Sequence, residues 1–188
     1  NVAESNATNI TATLSTDDDY IEIVNALADF GDIDQDSTVT IQEAYTISIS
    51  QAIPDKHKVL FNLLIDSDND RVWNDRFLLE IRAPNIAIDS IHVLDNNNNI
   101  PESGEIINLR VDLSNIGGSE ARDVSAVLTS NNQYIQIIEN HADYPDIDID
   151  ETQSHEEFYV VGIAPDIPHD TEAGFTLTIS GGDELSWV

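Results

Sequence analysis

Asp95, Asn97 and Asn99, followed by Glu102 and Glu105, are the side chains of this sequence best spaced to hold a cation. Calcium takes roughly six to eight oxygen ligands, and alternating Asp and Asn on a tightly curled loop can turn several oxygens toward one ion. Ile100 stands at the sharp-turn position where an EF-hand loop carries glycine. The segment is therefore either a calcium loop of another geometry or an Asn-rich turn that needs no ligand. Asp66, Asp68 and Asp70, at an expected hairpin turn, form a weaker candidate of the same kind. A third acidic run, Asp32, Asp34 and Asp36, has Ile33 within it and reads as extended chain. There, side chains two residues apart lie ~6.6 Å from each other, too far to share an ion, so a solvated acidic edge is expected. Calcium is the only cofactor these patterns suggest, and no motif requires one.

Catalytic spacings are lacking. His57, His92, His141, His155 and His169 form no H-E-x-x-H pair, and His155-Glu156-Glu157-Phe158-Tyr159 lacks a second ligand one turn on. The sequence has no G-x-S-x-G elbow, phosphate loop or dinucleotide fingerprint. Carboxylate pairing is uninformative among 36 Asp and Glu. The expectation is a non-catalytic chain.

Composition narrows the partners. Seven Lys and Arg against 36 Asp and Glu give a formal charge of −29, which repels nucleic acid and anionic lipid. An apolar content of 40% in recurrent Val/Ile/Leu runs separates the chain from disordered acidic tails. The absence of cysteine removes disulfides, zinc-thiolate sites and thiol chemistry. No apolar run approaches the ~18 to 20 residues of a membrane span, so membrane insertion is not expected. Asn1, in a sequence with no methionine, suggests a processed or excised chain.

The elements that must position these residues come in two copies. Tyr20-Ile21-Glu22-Ile23 returns as Tyr134-Ile135-Gln136-Ile137, and the same offset of 114 residues runs without a gap from Asn1/Asn115 to Trp73/Trp187. About a third of the aligned positions are identical, the mark of one structural unit used twice. Asp32, Asp34 and Asp36 recur as Asp146, Asp148 and Asp150, whereas Asp66, Asp68 and Asp70 align with Ser180, Gly182 and Glu184.

Each copy reads as strands. Ile10, Ala12 and Leu14 alternate with Thr11 and Thr13, and Val124, Ala126 and Leu128 alternate likewise, the period of a half-buried strand. Further strands are expected near 19–24, 39–50, 57–66, 71–82, 133–138, 155–164 and 172–180, with 86–94 and 105–114 opening the second copy. Tyr20, Phe61, Trp73, Tyr134, Phe175 and Trp187 are the expected large core anchors. The fold class is all-β: tandem immunoglobulin-like antiparallel β-sandwiches arranged end to end, joined at Ala83-Pro84-Asn85. The repeat divides the chain into residues 1–84, an Ig-like copy without its first two strands, and 85–188, a copy without most of its last strand. Completion is expected either from the rest of a longer polypeptide or from a neighbouring copy that donates a strand.

The stretch from Asp95 through Pro101, Glu102, Gly104 and Glu105, then Leu109, Val111, Leu113, Asn115 and Gly117, then Ala121, Val124, Ala126 and Leu128, carries a resemblance. It resembles the Ig-like adhesion-type repeats of secreted Bacteroidetes surface proteins, related to bacterial cell-adhesion domains and appended to gingipain-type cysteine peptidases. Ile100 and Ser103 depart from the pattern, which has glycine in the loop and an uninterrupted Pro-Gly-Glu. The resemblance implies a secreted, cell-surface accessory module that spaces or adheres. The alternatives are a glycan- or protein-binding adhesin using its end loops, an accessory domain of a secreted peptidase, and a strand-exchanging filament subunit. Asn6 and Asn9 begin N-glycosylation triplets, and Ser37 and Ser90 lie in Asp-Ser-Thr and Asp-Ser-Ile, similar to the O-glycan acceptors of that bacterial group.

Overall fold

The computed structural model describes residue 1 and residues 5–68, 71–95, 98–182 and 185–187; Asp70, Asn97 and Glu184 lie outside them. Among the described residues the chain is all-β, with antiparallel strand pairing and no helix. It divides into two compact units, Asn1–Ile81 and Arg82–Val188.

The first unit contains β1 (Ala7–Ser15), β2 (Ile21–Asn25), β3 (Leu27–Ile33), β4 (Thr46–Ile49), β5 (His57–Asp66) and β6 (Val72–Ile81). They form a four-stranded sheet of order β3-β1-β5-β6 and a separate pair, β2-β4. The second unit contains β7 (Ile86–Leu94), β8 (Ile106–Asn115), β9 (Ser125–Thr129), β10 (Ile135–Glu139), β11 (His141–Asp143), β12 (Thr152–Ser154), β13 (Tyr159–Ile163), β14 (Thr176–Gly181) and β15 (Leu185–Trp187). One of its sheets has order β11-β9-β14-β15. In the other, β8 is central: β7 pairs along one edge, and β13 and β12 pair with successive stretches of the opposite edge, with β10 beyond β13.

The alternation in β8 explains that central place. Ile107, Leu109, Val111, Leu113 and Asn115 are buried, while Asn108, Arg110, Asp112 and Ser114 between them are half-exposed. Each buried aliphatic side chain contributes about 1.5–3 kcal/mol, and a one-residue slip of register would forfeit all of them together. Opposite them lie Val124, Ala126, Leu128, Leu177 and Ile179, so both sheets of the second unit share one core in sandwich-like packing. In the first unit Ile10, Ala12, Leu14, Ala28, Ile53, Val59 and Phe61 are buried.

The sequence repeat is repeated in three dimensions, register for register. Ala12 pairs with Ala28 and Ile65, and Ala126 pairs with Ala142 and Ile179. Ile21 faces Ile49 as Ile135 faces Ile163, and Ile65 faces Trp73 as Ile179 faces Trp187. Asn9 and Asp123 share a left-handed backbone, with φ of 51° and 50°. In both units one residue carries the chain from one sheet to the other: Leu14 N–H donates to Ala26 O, and Leu128 N–H to Asn140 O, each at 2.8 Å.

Several expectations need correction. The strand expected at 39–50 is only Thr46–Ile49, because Glu43 adopts a left-handed φ of 54° that an extended strand cannot accommodate. The strands β3, β11 and β12 were not expected. Phe61 is a core anchor, stacked on its cross-strand partner Phe77 at 5.3 Å. Trp73 and Phe175 are not, being 44% and 40% exposed. Trp73 lies on β6, which is exposed on both faces, and Phe175 precedes β14 at the open mouth of a cavity. Tyr20, Tyr134 and Trp187 are half-buried. The tyrosines that fill the core are Tyr144 and Tyr159 of the second unit.

Candidate functional site

Among the described residues of the loop at 95–105, four side-chain oxygens accept backbone N–H groups of the loop itself. Asp95 Oδ1 accepts from Asn99 N–H at 2.9 Å, and Asn99 Oδ1 accepts from Asp95 N–H at 3.3 Å. Asn98 Oδ1 accepts from Ile100 N–H at 2.7 Å, and Glu105 Oε2 accepts from Glu102 N–H at 2.9 Å. Asn99 and Gly104 have φ of 59° and 81°, so the sharp bends fall on residues that tolerate the left-handed region. The Asn98 bond to Ile100 is that of an Asx turn, the reciprocal Asp95–Asn99 pair closes the loop, and an incoming cation would compete with each of these bonds. Among the described residues no three His, Asp or Glu side chains converge as a metal site.

The repeated acidic runs have a defined structural use. Asp32 Oδ1 accepts from Asn9 N–H at 2.8 Å, and Asp146 Oδ1 accepts from Asp123 N–H at 3.3 Å, so each carboxylate holds the left-handed residue before or at the start of its strand. Asp34 Oδ1 accepts from Asn6 Nδ2 at 2.8 Å, and Asp68 Oδ1 from Asn9 Nδ2 at 2.7 Å. Asp36 and Asp150 occupy equivalent left-handed positions, with φ of 56° and 60°. The side chains of Asn6 and Asn9 thus pack along this acidic edge while remaining exposed, as does Ser37.

Ser90, His92 and Asp112 form a cluster with no signature in the linear sequence. Ser90 and His92 lie two apart on one face of β7, Ser90 directly opposite Asp112 of β8, and Ser154 of β12 opposite Asp112 on its other side. Ser90 Oγ donates to Asp112 Oδ2 at 2.9 Å, Ser154 Oγ donates to Oδ1 at 2.7 Å, and His92 Nε2 stands 3.0 Å from Oδ2. Burial alone would raise the Asp112 pKa, but the bonds from Ser154, Ser90 and His92 and the charge of Arg110 outweigh it and hold the group below its usual value. The trio does not have the geometry of a serine relay. A relay histidine accepts the serine proton on one nitrogen and binds the carboxylate through the other; here Nε2 faces both, at 3.1 Å from Ser90 Oγ, and Ser90 donates to the carboxylate. The cluster ties three strands together and leaves the Ser90 hydroxyl engaged.

Beneath it lies a buried polar group. Val111 N–H donates to His155 Nε2 at 3.1 Å, and Val111 O accepts from Tyr144 OH at 3.0 Å, so β8 is gripped at both backbone atoms of one residue. The rings of Tyr144 and Tyr159 meet His155 edge-on at 5.1 and 5.0 Å. Burial lowers the His155 pKa and raises that of both phenols, which keeps all three neutral. The first unit has Ile41 where the second has His155, and its own His57 binds Asp18 Oδ2 at 2.7 Å. That hydrogen bond is the largest cause of a lowered Asp18 pKa.

Each unit also holds an apolar hollow. One, of about 460 Å³ in the first unit, is lined by Asn1, Ile10, Phe30, Val39, Ile65 and Trp73, among others. The other, of about 300 Å³ in the second unit, lies between Ile88, Ile91 and Val93 of β7 and Phe175 and Leu177. Comparison with family models and with curated proteins finds no match to this chain.

Proposed function

We propose that this chain is a pair of tandem immunoglobulin-like modules acting as a non-catalytic extracellular spacer or adhesion element of a larger secreted bacterial surface protein. The observation that carries the reading is the repeat itself. Two copies keep the same strand register and the same turn hydrogen bonds, while their exposed chemistry differs. Asp66-Ser67-Asp68 aligns with Ser180-Gly181-Gly182, and beneath the surface Ile41 aligns with the buried His155. A duplicated frame with divergent surfaces suits a part whose role is length and presentation rather than one reaction. The charge of −29 favours solubility and disfavours anionic surfaces, as a surface-exposed spacer requires.

A glycan array combined with pull-down from candidate host surfaces, using the whole 188-residue chain, tests the reading. The spacer role expects no saturable binding. Specific saturable binding would replace it with that of an adhesin using its end loops.

A further inference from the structure

The sheet β3-β1-β5-β6 ends at β6, which pairs only with β5 among the described residues. Its outer side is an edge of the fold itself. In the second unit the opening strands β7 and β8 pair with each other in the opposite sheet and leave β15 at the border of its own.

β6 lacks the proline, the lysine and the bulge that ordinarily blunt an edge. It runs ten residues, Val72–Ile81, with no register shift against β5. Two hydrogen bonds show which backbone groups face outward. Leu60 O accepts from Thr16 Oγ1 at 2.9 Å, so the even-numbered backbone groups of β5 face β1 and the odd-numbered ones face β6. The register then turns the N–H and C=O of Arg76, Leu78 and Glu80 away from β5, toward the open side. Arg76 agrees: its N–H donates to Asp75 Oδ1 at 2.8 Å, a side-chain substitute for a ladder partner.

The side chains of the same residues are complementary to themselves. Laid antiparallel about Leu78, β6 strands of two molecules place Leu78 beside Leu78 and Arg76 of each beside Glu80 of the other. A centre on Arg76 would oppose like charges, and a centre on Phe77 would set Arg76 against Leu78. The register about Leu78 also continues an apolar row. Leu60, cross-strand from Leu78, lies on the same outer face, and the two are 43% and 63% exposed. The second unit has Gly174 at the position of Leu60 and Thr178 at that of Leu64, so this row belongs to the first unit.

We propose that the β6 edge is a homodimer interface, in which β6 of a second molecule of this chain adds antiparallel through the pairs Leu78–Leu78 and Arg76–Glu80. The partner is a second molecule because the charge register is met by β6 itself. Asp75 releases the Arg76 N–H as the ladder closes. The interface is small and each molecule carries −29, so association is weak and strengthens as salt screens the repulsion. Such pairing goes with a spacer and with an adhesin alike.

The test is sedimentation of the whole chain in about 0.5 M salt, where charges are screened beyond about 4 Å. A monomer–dimer equilibrium is expected between about 10 μM and 1 mM. Over that range the amides of Leu78 and Glu80 should exchange about tenfold more slowly, while those of Phe77 and Leu79, which face β5, change little. Leu78→Pro removes an N–H that β5 does not use and should abolish the dimer, and Leu78→Lys should do the same with the backbone intact. Arg76→Glu should give a monomer, and adding Glu80→Arg should restore the dimer. Amides of β1 and β8 report that both units stay folded. A chain monomeric at about 1 mM would overturn the proposal. So would a dimer that survives Leu78→Lys or Arg76→Glu, or one whose protection falls on other strands and not at Leu78 and Glu80.

Discussion

Tyr159 and Tyr45 occupy one position of the repeat, donate to equivalent carbonyls, and differ only in what lies over them. In the second unit β8 seals the tyrosine to 0% exposure, and in the first the same ring is half-exposed. Phe30/Tyr144, Ile33/Ile147 and Ile47/Val161 follow the same rule. A strand's own alternation determines which face is apolar, but the depth of burial comes from the strand opposite. Burial at these matched positions therefore follows β8, while the pairing registers of the two units are alike.

The largest test of that difference is the paired truncation Tyr159→Ala and Tyr45→Ala. Removing the sealed ring should cost the second unit about 3–5 kcal/mol, the range for a large aromatic in a closed core. The half-covered ring should cost the first unit about 1–2 kcal/mol, since fewer contacts are lost. Urea titrations followed through the indole signals of Trp73 and Trp187, one in each unit, would resolve the two. Equal costs would mean that β8 is not what separates them.

Next comes Gly117→Ala, aimed at the corner that anchors β8. A Cβ there would stand 2.3 Å from Asn85 N and 2.5 Å from Ala83 O, both backbone atoms that cannot swing aside. The strain should cost the second unit about 1–3 kcal/mol and leave the first unit's transition in place.

Acid should then weaken the second unit before the first. His155 has a pKa below its ordinary 6.5 in the fold, so the unfolded chain binds more protons in that window. Stability from the neutral ring is present above 6.5 and is lost as pH falls through the depressed value, because the proton would land on the nitrogen that accepts from Val111. The first unit has Ile41 at this position. Asp18 and Asp112, one in each unit, have lowered values, so their contribution is present above 3.8 and is lost as pH falls below it, in both units together. Melting curves from pH 7 to 3 should show this order, and His155→Gln should abolish the early step.

The smallest expected effect is that of calcium. The Asp95, Asn99 and Glu105 side-chain oxygens already accept backbone N–H groups, so melting in chelator and in millimolar calcium should coincide. A rise in the second unit's midpoint with calcium would instead make this loop a cation site.

The amino-acid order alone carried the repeat, its gapless offset and the strand character of most segments, because periodicity and self-similarity are properties of the chain read along its length. It also carried Phe61 as a core residue. It did not carry the sheet exchange at Ala26 and Asn140, since the expected strand at 19–24 gave no sign of a second one directly after it, and only the identity of the pairing partner divides the segment at Ala26. The acidic runs looked like a solvated edge, yet Asp32 and Asp146 are tied to Asn9 and Asp123 across the fold. Ser90, His92, Asp112 and Ser154 meet only because three strands align in one register. Which tyrosines are core was likewise settled in three dimensions: Tyr144 and Tyr159 lie under β8, while Tyr20 and Tyr134 do not reach full burial. Faces follow from local spacing, whereas partners and burial follow from strands distant in sequence, and no local pattern encodes which of those strands will lie across the core.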